Sequence, residues 1–387
     1  MSIQSSRRDF LSAGLMLPVA GAASKLEFLN PDKPAAKTPK APKLDHRILG
    51  KTGLKLTSVG FGCMITSDPS VITRAADLGI NYFDTARGYQ NGNNERMVAA
   101  ALGAKRKDLV LSTKSIANNK EGLLKHLDTS LSELKTDYVD IWYLHSKDTP
   151  AAIHDDMIEA QQIAKQQGKI RFAGMSTHAL PKMTEWTIDK KAFDVVLTVY
   201  NFTMDAKMDD AIAAVAKTGT GVVAMKVMAG GAHARRAGET VNPIAQRDGA
   251  MLAALKWVLH RPNIGTTIPS MTDMDQLDEN LRAMAETYAP ADQKILTAHL
   301  ERIGPYYCRF CGECDGACAK GLQVSDTLRI LTYAEGYGQF ALARERFNEL
   351  PAHHATARCG DCTECTVKCP HGVRVADRVS RAQELFA

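Results

Sequence analysis

The chain has 387 residues, of which 45% are hydrophobic and 24% charged, and its formal net charge is +5. This composition is typical of a soluble globular protein, and the length allows two domains with a sizeable core. No apolar run reaches the roughly 18 residues that a membrane span needs. Basic residues are not interleaved with aromatic ones along a stripe. A stable membrane span and nucleic-acid binding are therefore not expected.

The N-terminal residues resemble an export signal. Arg7 and Arg8 precede an apolar stretch at 11–23 that ends in small residues suited to a signal peptidase. A paired arginine before a short apolar segment is typical of a bacterial twin-arginine signal, although a short amphipathic helix could also begin with two arginines. We expect residues 1–23 to engage the twin-arginine export machinery, which carries folded proteins, and the protein to reach the periplasm. Residues 24–43, rich in Pro, Lys and Ala, are expected to be an extended linker.

Strands and helices are predicted to alternate from residue 44 onward, because short apolar runs are separated by longer amphipathic segments such as 122–134 and 155–168. Residues 44–290 have close to the ~250 residues of a typical (β/α)8 barrel. A doubly wound open sheet is the alternative, but no G-x-G-x-x-G follows the first strand. The predicted strands are Ser58–Cys63, Asn81–Asp84, Leu109–Thr113, Val139–Leu144, Phe172–Ser176, Val195–Val199, Gly221–Met225 and Thr266–Pro269.

Three ionisable residues come at the ends of three successive predicted strands, namely Asp84, Lys114 and His145. Tyr89 follows Asp84 by five residues, in the next loop. Each could have a structural role alone, as a helix cap, a surface lysine or a rim histidine. In a barrel, however, the C-terminal strand ends meet on the face where active sites are built. We therefore expect the four side chains to form one catalytic group.

This group suits proton transfer to a carbonyl oxygen. A tyrosine hydroxyl has a pKa near 10 in water, and a nearby ammonium favours the phenolate and so acts to lower that pKa. A carboxylate can hold the ammonium in place, and a neutral imidazole can orient the carbonyl against the phenol. Such an arrangement protonates a carbonyl oxygen as hydride arrives at the carbon.

The segments around these residues resemble the aldo-keto reductase family. Residues 47–62 are similar to its opening segment, and 81–89, continuing to Gly92 and Glu95, are similar to its signature. The resemblance implies a (β/α)8 TIM barrel that binds an extended nicotinamide dinucleotide and acts on a small carbonyl or alcohol. It makes Tyr89 the proton donor, Asp84 and Lys114 its partners, and His145 the substrate-orienting group.

The resemblance also implies a set of dinucleotide contacts, with two departures from the family pattern. Leu197 stands where the family has a glutamine, and Ser270 and Gln276 stand where NADP-using members have cations for the 2′-phosphate. The choice between NAD and NADP is therefore open at this stage. The implied contacts are Ser176, Thr177, Tyr200, Lys226, Ser270, Gln276, Glu279 and Asn280.

Eight of the nine cysteines form two runs near the C-terminus, and the ninth, Cys63, is expected to pack in the core. The spacing in both runs is C-x2-C-x2-C-x3-C, and each cysteine of the second run lies 51 residues after its counterpart, as from Cys308 to Cys359. This duplication matches the pattern of bacterial two-cluster ferredoxins, in which the fourth cysteine of each run binds the other cluster. That pattern assigns Cys308, Cys311, Cys314 and Cys369 to one 4Fe–4S cluster and Cys359, Cys362, Cys365 and Cys318 to the other.

Zinc and disulfides are the competing interpretations of the cysteines. Zinc sites usually use two separated C-x2-C pairs, which would leave a third cysteine over in each run. Cysteines three residues apart in tight loops seldom have disulfide geometry. We expect residues 291–387 to form a small, mostly helical and loop domain with two 4Fe–4S clusters, with helices at 326–335 and 339–350 between the runs.

Taken together, the sequence predicts an exported oxidoreductase that transfers hydride between a nicotinamide cofactor and a small carbonyl or alcohol. Two 4Fe–4S clusters would serve electron transfer with a redox protein partner, or stiffen the fold. The alternative is an electron-transfer protein that uses its barrel as a docking scaffold. The missing glutamine at Leu197 and the missing cation at Ser270 favour that alternative, whereas the complete catalytic group argues against it.

Overall fold

The computed structural model describes residues 43–230 and 249–387. The predicted export signal and all but the last residue of the linker lie outside these ranges. Within them, none of the helices has both the length and the apolar character that would let it cross a membrane.

The (β/α)8 barrel predicted from the sequence is confirmed. Eight parallel strands follow one another around the barrel in chain order. The first and last strands also meet, since Gly60 N donates to Thr267 O at 2.8 Å and Thr267 N donates to Ser58 O at 3.0 Å. An antiparallel hairpin, β1 (His46–Ile48) with β2 (Lys55–Thr57), precedes the barrel. The barrel strands are β3 (Phe61–Gly62), β4 (Tyr82–Asp84), β5 (Val110–Ser115), β6 (Val139–Leu144), β7 (Ile170–Thr177), β8 (Val195–Val199), β9 (Gly221–Met225) and β10 (Thr266–Thr267).

Amphipathic helices surround the strands and bury their apolar faces against them. Polar side chains begin several helices, as at Asn119, whose Oδ1 accepts from Gly122 N at 2.8 Å. The segment predicted at 155–168 is a helix that begins at Asp155, with Gly168 beyond its end in the left-handed conformation at φ +71°. The barrel helices are α1 (Pro69–Asp77), α2 (Asn93–Leu102), α3 (Lys120–Leu134), α4 (Asp155–Gln166), α5 (Leu180–Lys190), α6 (Ala206–Lys217), α7 (Ala250–Leu259), α8 (Met274–Ala285) and α9 (Pro290–Ile303).

The barrel interior is a packed core that closes the N-terminal end of the barrel. Leu49, from the N-terminal hairpin, is fully buried in one cluster with Tyr82, Tyr143 and Leu197. Its side chain lies so close to the start of β9 that a Cβ atom on Gly221 would meet Leu49 Cγ at 2.6 Å. The hairpin therefore fills the N-terminal mouth of the barrel, and the C-terminal mouth is left for a ligand.

Helix α9 belongs to the packing of the barrel. Its Leu296 lies in the core cluster between the strands and the helices, and Asp292 pairs with Lys256 of α7 at 2.9 Å. The domain boundary was predicted at residue 290, before this helix, and the exact boundary stays a prediction.

The C-terminal region shows the sequence duplication in its structure. Helix α10 (Val324–Leu331) follows the first cysteine run, and α13 (Val375–Phe386) follows the second, each beginning at the valine six residues after the last cysteine of its run. Gly321 and Gly372, at equivalent positions, have φ of +68° and +75°. The two helices pack together through one apolar cluster. Each run is therefore one copy of a loop–helix unit.

Between the two units lie a π-helical turn, Thr332–Gly336, and two helices, α11 (Phe340–Asn348) and α12 (His353–Thr356). The helices predicted at 326–335 and 339–350 correspond to α10 with the π turn and to α11. A left-handed Gly338 at φ +69° separates them.

The C-terminal region packs over the C-terminal mouth of the barrel. Asn201 Nδ2, after β8, donates to Tyr307 Oη at 3.1 Å, and Lys182 of α5 donates to Gly312 O at 3.2 Å. The π turn approaches the loop after β9 so closely that a Cβ atom on Gly336 would lie 2.6 Å from Gly230 O. Because only glycine fits there, this contact fixes the C-terminal region against the barrel mouth.

Candidate active site

The buried ion pair at the centre of the barrel mouth joins two strand ends. Lys114 Nζ, on β5, contacts Asp84 Oδ1, on β4, and donates to Thr85 O at 2.8 Å. Ser112 Oγ donates to the other oxygen of Asp84 at 2.6 Å. Burial opposes the charge on Lys114, but Asp84 and then Tyr89 more than compensate, so the pKa of the ammonium is raised. The ammonium therefore stays charged at neutral pH.

Tyr89 lies against this ammonium. Its Oη is 3.4 Å from Lys114 Nζ, and the ammonium is also 4.9 Å from the centre of the ring. Burial raises the pKa of the Tyr89 phenol, and Lys114 opposes that increase. The phenol is thus protonated at neutral pH and has a positive charge beside it that would stabilise the phenolate as a proton leaves.

His145 completes the group predicted from the sequence. Its ring meets that of Tyr89 edge-on, with centroids 5.9 Å apart. Burial, followed by the charge of Lys114, lowers the pKa of His145 well below its usual value, so the imidazole is neutral at neutral pH. Among the described residues, its buried Nδ1 has no hydrogen-bond partner. The four predicted catalytic residues therefore lie together, with a neutral imidazole beside the phenol.

A cavity of about 520 Å³ opens onto Tyr89 and His145. The barrel lines one side of this cavity, and the π turn with its neighbouring helices lines the other. The lining residues from the C-terminal region are Asp326, Arg329, Ile330, Tyr333, Gly336, Tyr337, Leu342, Arg346, Glu349 and Leu350. The C-terminal region is therefore part of the candidate active site.

Six of the eight predicted dinucleotide contacts line this cavity, namely Ser176, Lys226, Ser270, Gln276, Glu279 and Asn280. Thr177 and Tyr200 are not among the lining residues. Thr177 Oγ1 donates to Asp148 Oδ1 at 3.1 Å, and Tyr200 packs against Trp257 with ring centroids 5.1 Å apart while its hydroxyl donates to Asp209. These two side chains serve the packing of the rim in this structure.

The predicted adenosine end of the cavity carries no cation at either position singled out from the sequence. The Gln276 side chain is held at the start of its own helix, because its Nε2 donates to Thr272 Oγ1 at 2.9 Å and to Oδ2 of the N-cap residue Asp273 at 2.7 Å. The carboxylate of Asp273 also accepts from Gln276 N at 2.9 Å. A negative charge therefore stands beside Gln276, at the position where the family resemblance implies an arginine in NADP-using members.

No sequence pattern indicates the groups that enter the cavity from the C-terminal region. Lys226 Nζ lies 5.6 Å, 4.9 Å and 5.7 Å from the ring centres of Phe310, Tyr333 and Tyr337. Tyr333 lies in the π turn and Tyr337 directly follows it. Both are about a hundred residues from Lys226 along the chain, so no local pattern connects them. Burial would raise the pKa of Tyr333, but the charge of Lys226 and two arginines lowers it overall.

The cysteines of the two runs lie in and around the apolar cluster that joins α10 and α13. Burial raises the pKa of the Cys308 thiol to about 12, with further contributions from Cys314, Cys311 and Cys369. In the second run, burial raises the pKa of Cys359, and Cys365, Cys362 and Cys318 add to it. The first cysteine of each run, Cys308 or Cys359, thus interacts with the last cysteine of the other run, Cys369 or Cys318. Within the described ranges, no three His, Cys, Asp or Glu side chains are placed to hold a metal ion.

Phe310 connects Cys308 to the wall of the cavity. Phe310 N donates to Cys308 Sγ at 3.4 Å, and the Phe310 ring is 5.8 Å from the ring of His178, which lines the cavity. In the second run, by contrast, Cys362 is exposed. Cys63 is fully buried in the barrel core, as the packing interpretation predicts.

Comparison with known proteins gives one family. The sequence model described as the aldo/keto reductase family matches residues 67–301. An uncharacterised oxidoreductase of Bacillus subtilis is 28% identical over 303 residues, covering 66% of this chain and 96% of the relative. L-galactose dehydrogenase of Arabidopsis thaliana is 28% identical over 299 residues, covering 63% and 89%. The holo form of an aldo-keto reductase from Bacillus halodurans has a TM-score of 0.57 and 25% identity, covering 66% of this chain and 96% of that one. The family match ends before the first cysteine run.

Proposed function

Since the chain belongs to the aldo/keto reductase family, which acts on small carbonyls or alcohols with a nicotinamide cofactor, we propose that Asp84, Lys114, Tyr89 and His145 carry out this reaction here. The observation that carries the proposal is the contact between the Tyr89 phenol and the buried Lys114 ammonium, at 3.4 Å, in the wall of the cavity. The relatives share the barrel, and this contact supplies the proton donor that carbonyl reduction needs.

Each of the four residues has a separate role in the proposed reaction. The nicotinamide, when bound, supplies a hydride to the carbonyl carbon or accepts one from the alcohol. Tyr89 donates a hydrogen bond to the carbonyl oxygen and passes its proton there as negative charge develops. Lys114 stabilises the resulting phenolate, and Asp84 keeps the ammonium in position. Neutral His145 orients the oxygen without competing as an acid, since its pKa is well below the usual value.

We propose NADH rather than NADPH as the preferred cofactor. The position equivalent to the phosphate clamp holds Gln276, which is engaged with Asp273, and the Asp273 carboxylate would repel a 2′-phosphate. A ribose 2′-hydroxyl, by contrast, could donate to a carboxylate. Ser270, the other position singled out from the sequence, lines the cavity without a charge.

The two cysteine runs support a proposal of two 4Fe–4S clusters. The thiol interactions pair each run with the last cysteine of the other, which is the ligand arrangement of two-cluster ferredoxins. In such a cluster each thiolate binds a different iron, so the sulfurs lie further apart than the ligands of a single ion. The first cluster would be held by Cys308, Cys311, Cys314 and Cys369, and the second by Cys359, Cys362, Cys365 and Cys318.

Electron transfer is the second candidate function, and the position of Phe310 favours it. The Phe310 backbone contacts Cys308, and its ring contacts His178 and faces Lys226. The first cluster would therefore lie near the cavity, and the second would lie nearer the solvent at Cys362. This order suits one-electron exchange between a redox protein partner and the cavity, and it does not depend on hydride transfer.

We also propose that the chain is exported by the twin-arginine route to the periplasm, on the sequence of residues 1–23 alone. Replacing Arg7 and Arg8 by lysine should leave folded protein in the cytoplasm. If cell fractionation shows the double variant exported like the wild type, the proposal of this route fails.

Dinucleotide binding decides between the two candidate functions. The protein is purified anaerobically, stripped of bound nucleotide, and titrated with NADH and with NADPH by calorimetry. We expect NADH to bind and NADPH to bind more weakly. If neither binds, while the protein contains iron, the reductase proposal fails and electron transfer becomes the better account.

A further inference from the structure

Among the residues that the structure describes, Lys226 is a cation of the cavity without a partner of opposite charge. It follows β9, with φ +55°, and its Nζ is surrounded by the rings of Phe310, Tyr333 and Tyr337. Its ammonium is 4.9 Å from the centre of the Tyr333 ring, and Tyr333 also lines the cavity. No carboxylate of the described ranges forms an ion pair with it.

The other charged groups of the lining are paired elsewhere. Lys114 contacts Asp84, Arg329 contacts Asp326, and Arg346 Nη1 holds both oxygens of Glu349 at 2.8 Å. The remaining lining carboxylate is that of Glu279. Its electrostatic partners are Arg282 and Asp273, and they do not include Lys226. The charge of Lys226 is thus left for a ligand.

Lys226 lies on the same side of the cavity as the catalytic group. Its charge acts on both Tyr89 and His145. The ion pair of Arg346 with Glu349 also lies near this group, because Arg346 Nη2 would be only 3.7 Å from a Cβ atom on Gly88, the residue before Tyr89. Lys226 is half-buried, and an ammonium partly withdrawn from water without a counterion favours an anion that reaches it.

We propose that Lys226, together with the Tyr333 hydroxyl, binds a carboxylate or phosphate group of the substrate whose carbonyl oxygen lies between Tyr89 and His145. This inference rests on the proposed function and narrows its substrates to anionic carbonyl compounds. The dinucleotide is the other possible source of an anion. The substrate is favoured because the predicted adenosine contacts Ser270 and Gln276 lie after β10 and on α8, whereas Lys226 faces the tyrosines of the C-terminal region.

The test uses two aldehydes of equal size, 4-carboxybenzaldehyde and the neutral 4-carbamoylbenzaldehyde. We expect the wild type to prefer the carboxylate in kcat/KM by about tenfold or more, as a charged hydrogen bond in a buried site allows. Lys226→Met should abolish this preference mainly through KM for the anionic aldehyde, and Lys226→Arg should keep most of it. Lys165→Met removes an ammonium that pairs with Asp194 on the barrel exterior, and it should leave the preference unchanged.

Direct binding separates this inference from the proposed function. Benzoate and benzamide are titrated into the wild type and Lys226→Met, with thermal unfolding as a check that the variant folds. Weaker benzoate binding in the variant, with benzamide unchanged, supports the inference even if neither aldehyde is reduced, in which case only the proposed function fails. The inference is overturned if the wild type prefers neither 4-carboxybenzaldehyde over its neutral amide nor benzoate over benzamide. It is also overturned if Lys226→Met affects both members of each pair equally, or weakens NADH binding while the aldehyde ratio stays the same.

Discussion

Replacing Tyr89 by phenylalanine removes one oxygen from the active site and should reduce carbonyl reduction sharply. The hydroxyl contributes a single contact to the folded protein, at 3.4 Å from Lys114 Nζ, while the ammonium keeps Asp84 and Thr85 O. The free energy of unfolding should therefore change by less than about 1 kcal/mol. A positioned general acid contributes roughly 10²–10⁴-fold to the rate, so kcat should fall by that factor, or about 3–5 kcal/mol in activation free energy.

The assay follows NADH oxidation with 4-carboxybenzaldehyde, while the affinity for NADH is measured separately by calorimetry. Dinucleotide affinity should change little, because the phenol acts on charge that develops at the carbonyl oxygen in the transition state. Tyr143→Phe is the matched control. That hydroxyl bonds to Tyr82 at 3.0 Å inside the barrel core, so its loss should affect stability but not kcat. The reasoning is refuted if Tyr89→Phe keeps more than about a tenth of the wild-type kcat.

Three further predictions concern the metal, the cofactor and pH. Anaerobically purified protein should contain about eight irons per chain. Cys369→Ser should alter the electron paramagnetic resonance signal of the cluster that Cys308, Cys311 and Cys314 also bind. Stoichiometric zinc in place of iron would contradict this prediction. Ser270→Lys with Gln276→Arg should shift preference toward NADPH by at most about 1.5–3 kcal/mol per charged hydrogen bond, and an unchanged ratio of the two dissociation constants would exclude the proposed clamp positions. The folded pKa of His145 lies below its unfolded value, so its neutral form contributes stability that is lost as pH falls through the unfolded pKa near 6.5. Urea unfolding at pH 7.5 and 5.5 should show this loss, and His145→Gln should reduce the difference between the two pH values.

The sequence predicted the barrel because its signals are local and repeated. Strand β6 was predicted at 139–144 and occupies those positions, since a continuous apolar run bounded by polar residues buries both faces of a parallel strand. Short strands were harder to delimit. The first strand was predicted at 58–63, but only Phe61–Gly62 form regular strand. The backbone groups of Ser58 and Gly60 instead form the hydrogen bonds with Thr267 that close the barrel.

The catalytic group could also be predicted, because the ends of successive parallel strands must converge on one face whatever the details of packing. The directions in which the side chains of Thr177 and Tyr200 point could not be predicted from the sequence. Thr177 ends β7 and Tyr200 follows β8, yet Thr177 bonds to Asp148 and Tyr200 turns toward Trp257 and Asp209. A side chain at a strand end takes the partner that the neighbouring loop and helix offer, and that partner depends on tertiary packing.

By itself, the sequence determined the alternation of strands and helices, the positions of Asp84, Lys114 and His145 at strand ends, and the duplicated cysteine spacing. Each is a pattern with a short period or an exact repeat. Only the tertiary structure decided that the C-terminal region closes over the barrel mouth and surrounds Lys226 with Tyr333 and Tyr337. That contact joins residues about a hundred positions apart, and it depends on the close approach of Gly336 to Gly230. No local propensity encodes such a distance, because it results from the fit between two separately formed surfaces.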